Sequence, residues 1–225
     1  SGHGLQSSTR DIKNIDESDG KDEMIIGNNN GTLEFITDNM VSDALEKING
    51  RVVVLVDACN SGTIGDLPYK YVVEGNTKNN LPPNLKEVKE NNRIMKNKNI
   101  IIIAAAQEDD LAYDVISNEQ YRFGGEFTLE IINQLIKTSA SAYINLIDIA
   151  IAIKKQHINA GLPNSVVIST PRPIEEMNTS ISKMQIVKYV EEKTKSNAKD
   201  QTTQSGEENI DDSMKQIIHL TPKNK

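Results

Sequence analysis

Two short segments carry residues able to do nucleophilic chemistry. The first is D-A-C-N-S-G at Asp57–Gly62, which holds the single cysteine of the chain, Cys59. The second is S-G-H-G at Ser1–Gly4, which holds His3. A thiol becomes a strong nucleophile when a base or a positive neighbour favours the thiolate, and an imidazole is the usual partner. Gly2 and Gly4 leave room around the His3 ring. Ala58, Ser61 and Gly62 allow a tight turn and the close approach of a substrate backbone. Each residue alone has a bland reading: a lone cysteine at a strand end is most often a small buried hydrophobe, and a lone histidine most often sits on a surface or in a core. The two stand 56 positions apart, enough for a strand–helix–strand excursion that returns to one sheet edge. Together they predict a catalytic pair, with His3 as base and Cys59 as nucleophile. His157 and His219 have neither glycine neighbours nor a strand-end setting, and receive no role.

The elements that must position this pair follow from periodicity. Residues 1–35 are polar and rich in Gly, Asn and Asp, so they read as loop with a short strand at 24–26. Thr37 can cap a helix over 38–49, with Met40, Val41, Leu45 and Ile48 on one face and Gly50 as its stop. The apolar run R-V-V-V-L-V-D at 51–57 predicts a parallel strand buried on both faces. Residues 62–97 read as mostly loop with a short helix at 85–95. A second buried strand is expected at 99–105. Helices are expected at 127–137 and 144–159, and a third strand at 165–169. Buried strands alternating with amphipathic helices predict an α/β fold: a mainly parallel sheet with helices on both faces. In such sheets ligands bind at the carboxyl ends of the strands, where Cys59 stands.

Composition bounds the rest. The chain has 225 residues, enough for one sizeable core, and a net charge of −7. That charge argues against nucleic acid as a partner, because phosphate contacts need clustered Lys and Arg; it is compatible with a basic substrate. One cysteine permits no intrachain disulfide, which fits a reducing, cytoplasmic setting. No apolar run is long enough for a bilayer, so no membrane is expected. A single folded domain is expected over 1–173. Residues 174–225 read as a polar, largely disordered tail with short helices at 181–193 and 214–220.

S-G-H-G followed by D-A-C-N-S-G resembles the metacaspases, the Arg/Lys-directed relatives of caspases, in which a histidine precedes the cysteine motif by roughly 50 residues. S-G-T-I-G-D-L-P-Y-K-Y at Ser61–Tyr71 is similar to the type I metacaspase stretch after the nucleophile. A-A-A-Q-E-D-D-L-A-Y-D at Ala104–Asp114 and G-G-E-F-T at Gly124–Thr128 resemble the small-subunit region, though Gln107 stands where the family often has Cys. The resemblance covers about residues 1–173. It implies a cysteine endopeptidase of caspase-like fold, with His3 as general base and Cys59 as nucleophile. It also implies an oxyanion hole from the backbone N–H groups of Gly4 and Cys59. Asp57 and Ser1 would line the S1 pocket. A carboxylate there suits Lys or Arg at P1 and repels the Asp that caspases prefer; the alternative for Asp57 is a strand-terminal carboxylate accepting turn N–H bonds.

The resemblance further implies calcium as a cofactor, held by Asp22, Asp38, Asn39 and Asp66, whose oxygens suit a hard cation. The family usually has Asp at the position of Asn39, and Asp38 has a competing reading as a helix N-terminal carboxylate. Asp109, Asp110 and Asp114 would extend an acidic cleft or form a solvated loop. Lys70, Lys78, Lys86 and Lys89 mark an expected self-processing region. The family places further strands before the His-bearing one, so the N-terminal strands are expected to be missing and one side of the sheet open. Two alternatives stay open: a catalytically silent caspase-like scaffold, and a caspase homologue independent of calcium.

Overall fold

The computed structural model describes residues 2–7, 21–76, 81–89, 93–117, 122–137 and 143–182. Ser1, Lys78 and the expected tail elements beyond Ser182 lie outside the described residues. The chain divides into two compact units, 1–131 with 145–179, and 132–144 with 180–225. In the larger unit the strands are β1 (Gly4–Ser7), β2 (Asp22–Asn29), β3 (Thr32–Thr37), β4 (Val52–Val56), β5 (Tyr69–Asn76), β6 (Leu81–Lys89), β7 (Ile100–Ala104), β8 (Asp114–Ser117) and β9 (Arg122–Gly125). The helix α1 (Asp38–Lys47) follows β3, and α2 (Glu126–Lys137) begins in this unit directly after β9. Strand β10 (Tyr143–Asn145) leads into α3 (Leu146–Asn159) and β11 (Val166–Thr170); β12 (Ser180–Ser182) pairs with β10 in a separate two-stranded sheet.

The main sheet has the order β4-β7-β11-β5-β6. Its β4–β7 pair is parallel, and the long excursion between the two apolar runs supplies the crossover that parallel pairing needs. The β7–β11, β11–β5 and β5–β6 pairs are antiparallel, so the sheet is mixed rather than mainly parallel. The difference arises in 62–97, expected as loop with a helix at 85–95. That segment instead supplies the β5–β6 hairpin, in which β6 is the edge strand and tolerates Pro82 and Pro83 near its start.

Every residue of β7 and β11 is buried, so the sheet centre is covered on both faces. One face joins Ile100, Ile102, Ala104 and Val167 to Leu45 of α1 and to Ile64, Leu67 and Met95. Helix α3 runs along β11, β5 and β6. Its start is set by Asn145, whose Oδ1 accepts from Ile147 N at 2.9 Å, and Gly161 follows its end at φ +73°. Thr37 caps α1 as its position predicts, accepting from Met40 N at 3.3 Å. Strand β4 lies at a sheet edge, so it is only partly buried and Leu55 is 45% exposed, against the expectation of burial on both faces.

Residues 1–35, expected as loop with one short strand, contribute most of a three-stranded antiparallel sheet in the order β1-β2-β3. Its hairpin turns at Asn30 (φ 52°) and Gly31 (φ 87°), two consecutive positive φ values that match the twist of the flanking strands. Ile181 and Ser182 stand in β12 rather than at the start of a helix. No described helix is long and apolar enough to cross a membrane.

Candidate active site

Cys59 follows the carboxyl end of β4, separated from it by Asp57 and Ala58. The chain turns sharply there: Asn60 adopts φ 50°, and Ser61 Oγ donates to Ala58 O at 2.8 Å. The turn continues with Asp66 N donating to Thr63 O at 2.8 Å and Asp66 itself at φ 47°. Cys59 is half-buried and free.

The His3 segment is brought to this turn by its backbone. Gly2 N donates to Asp57 O at 3.0 Å, and Ile26 N donates to His3 O at 2.9 Å. His3 is therefore clamped at its peptide between β2 and the end of β4, with its side chain exposed. Gly4 lies directly against the Cys59 peptide. A Cβ at Gly4 would sit 1.7 Å from Cys59 O and 2.8 Å from its carbonyl carbon. Only glycine can occupy this position without displacing one of the two chains. The two motifs thus meet, and they meet backbone to backbone.

The loop after β7 closes the other side. Ala112 N donates to Cys59 Sγ at 3.3 Å, and Asn60 N donates to Asp110 O at 3.1 Å. The Asn60 side chain also donates to Glu108 O. Glu108 is anchored by Lys70, a buried lysine on β5, at 2.5 Å. Lys70 is thus engaged in the core and unsuited to cleavage in this arrangement, whereas Lys86 on β6 pairs with Glu74 at 3.1 Å on the surface. Asp110 accepts from Ser165 N at 3.3 Å, and Asp109 meets Lys21 at 3.5 Å, so this acidic stretch braces loops as well as facing solvent.

Asp57 is 5% exposed. Its Oδ2 accepts from Thr128 N at 2.9 Å and Thr128 Oγ1 at 2.5 Å, both in the first turn of α2. A carboxylate at a helix N-terminus is favoured by the unpaired N–H groups and the helix dipole. Gly125 is required beside it, since a Cβ there would fall 1.9 Å from Asp57 Oδ2.

The four residues expected to hold calcium are not gathered into a cage. Among the described residues no three His, Cys, Asp or Glu side chains are grouped to hold a metal ion. Asp38 accepts from Glu23 N at 2.7 Å and from Asn39 N at 2.6 Å, the helix-terminal role that competed with metal binding. Asp66 is buried and faces Arg93 at 3.3 Å.

Sequence reasoning passed over Glu23, which is 0% exposed. Burial pushes its carboxyl up to about 7; hydrogen bonds from Thr63 and Gln6 oppose the rise, and Asp38 and Glu108 add to it. Its signal was only its place beside Asp22 in D-G-K-D-E. His157, given no role, is fully buried on α3, with its Nε2 against Glu126 Oε2 of α2.

The Gly4 contact is directly testable. Gly4→Ala is expected to cost about 1–3 kcal/mol in urea unfolding, the usual range for overpacking, and to abolish Cys59-dependent chemistry. An unchanged midpoint would show that the two segments do not touch.

The caspase domain model of peptidase family C14 matches residues 1–204. Metacaspase-1 of Lodderomyces elongisporus is 39% identical over 80 residues, 33% of this chain and 18% of the relative. Metacaspase-1 of Candida albicans is 38% identical over 80 residues, with the same shares of each chain. Metacaspase III c of Phaeodactylum tricornutum is 39% identical over 79 residues, 34% of this chain and 23% of the relative. The matches thus span about a fifth of the length of these relatives. With the caspase domain model matching residues 1–204 of the 225, the chain belongs to the caspase-like family of cysteine peptidases that includes the metacaspases.

Proposed function

We propose that this chain carries the catalytic pair of a cysteine endopeptidase that cleaves after Arg or Lys. The observation that carries the reading is the Gly4–Cys59 contact, which leaves His3 and Cys59 on abutting backbone segments. In this reading His3 takes the Cys59 thiol proton, and the thiolate attacks the scissile carbonyl. The N–H groups of Gly4 and Cys59 receive the developing oxyanion. Collapse of the tetrahedral intermediate breaks the peptide C–N bond, and the leaving amine takes the proton from His3. Water, deprotonated by His3, then hydrolyses the thioester and restores the thiol. Cys59 is half-buried, not sealed in the core, as an attacking residue needs to be.

Basic specificity rests on Asp57. Both of its hydrogen bonds from Thr128 fall on Oδ2, and Oδ1 is the oxygen proposed to meet a P1 guanidinium or ammonium. Ser1, the expected second S1 residue, lies outside the described residues. A P1 cation beside a buried carboxylate gains a charge-assisted hydrogen bond, whereas a P1 Asp meets a like charge. Peptide reporters ending in Arg or Lys are therefore expected to be cleaved by the full chain and those ending in Asp to be refused. Cys59→Ala and His3→Ala should each lower kcat at least about 10³-fold, in line with removal of one member of a catalytic unit. Full activity in both variants contradicts the assignment.

Calcium activation is proposed only on the resemblance to metacaspases, and self-processing stands on the same footing. No step of the reaction is routed through the ion. Calorimetric titration with calcium chloride decides the point. Saturable binding lost in Asp22→Asn and Asp66→Asn would support the site. A flat titration with undiminished peptidase activity would favour the calcium-independent form.

A further inference from the structure

The peptidase reading leaves Glu23 without a task, yet its carboxyl occupies a singular position. Glu23 lies on β2 directly opposite Gln6 of β1, the strand that continues from His3. Gln6 Nε2 donates to Glu23 Oε1 at 3.0 Å. The other carboxyl oxygen, Oε2, accepts from Thr63 Oγ1 at 2.6 Å. Thr63 belongs to the turn that follows Cys59. A single side chain therefore receives one hydrogen bond from the histidine strand and one from the cysteine turn.

The surroundings fix it in place. Glu23 N is held by Asp38 Oδ2 at 2.7 Å, which ties β2 to the start of α1. Lys21 Nζ donates to Gln6 Oε1 at 2.9 Å, which sets the orientation of the Gln6 amide so that Nε2 points at Glu23. Thr63 is buried, and its own carbonyl is bonded to Asp66 N. A fully buried carboxyl is expensive. An apolar side chain of similar size could fill the same volume without that cost, but it could not grip two segments at defined atoms.

We propose that Glu23 is a positioning residue that sets the spacing of His3 and Cys59 by hydrogen-bonding to both of their segments. This rests on the peptidase reading, and it names a device that the motif residues do not supply themselves. The backbone contact at Gly4 prevents the segments from approaching further; the Glu23 bridge prevents them from sliding or parting. Reacting groups tolerate little error, since a misplacement of about 1 Å can cost on the order of 100-fold in rate.

Thr63→Val removes one donor while keeping side-chain shape, so it tests the bridge with the least damage to the fold. In the full chain this variant is expected to lower kcat about 10-fold or more with KM changed by less than about 2-fold. Thr63→Ser, which restores the hydroxyl, should recover most of the loss. Glu23→Gln, which retains shape and one acceptor, should fall between. The second readout needs no turnover: the His3 ring resonances in the NMR spectrum should move in Thr63→Val, although Thr63 is sixty residues away in sequence, and return in Thr63→Ser. A folded Thr63→Val with unchanged kcat and unmoved His3 resonances overturns the proposal. So does a loss of kcat that tracks thermal stability alone and is not rescued by Ser. Should the wild type show no Cys59-dependent cleavage, the peptidase reading fails separately, and the His3 resonances still decide whether the bridge exists.

Discussion

The close approach of the Gly4 backbone to the Cys59 peptide is the constraint on which the rest of the site depends. Side chains can adjust by rotation, but a backbone against a backbone cannot, and the 1.7 Å clash that any Cβ would meet makes Gly4 the fixed point. The neighbouring bond from Gly2 to Asp57 O then sets the height of His3 relative to the end of β4. His3 needs no burial of its own to be placed; the peptide on either side places it.

Around that point the carboxyl end of the sheet is joined by buried polar groups rather than by packing alone. Asp57 ties the end of β4 to the first turn of α2 through Thr128. Lys70 and Glu108 tie β5 to the loop that presents Ala112 to the Cys59 sulfur. Glu23 joins the strand after His3 to the turn after Cys59. Such groups contribute little net stability once desolvation is counted, but each fixes atoms at defined separations. Apolar packing carries the stability elsewhere, in the isoleucine-rich face of β7 against Leu45, Ile64 and Met95. Asp38 and Asp66 are likewise engaged, at the helix start and with Arg93.

Much of this was legible in the sequence because it depends on local pattern. The apolar runs at 52–56 and 100–104 are the parallel pair, and Thr37 caps α1, although the helix stops at Lys47 rather than running on to Gly50. What escaped depends on pairing between distant segments. The β5–β6 hairpin was hidden by its charges, since Lys86, Glu87 and Lys89 alternate with few apolar residues on an edge strand that needs only half a core. The β2–β3 hairpin announced itself in Asn30-Gly31 but was masked by polar composition on both sides. Glu23 looked like one more acid in an acidic run. Its burial follows from the register that sets it opposite Gln6 and under Thr63, which no local pattern encodes.

The central claim, that His3 and Cys59 act as one chemical unit, is tested most directly by a covalent probe. An arginine-terminated peptidyl electrophile should modify the protein at a single site, which peptide mass mapping should assign to Cys59, and His3→Ala should abolish the modification while leaving the thiol accessible to a denaturing-condition alkylator. Labelling of Cys59 that is indifferent to His3, or to the arginine of the probe, would contradict the account.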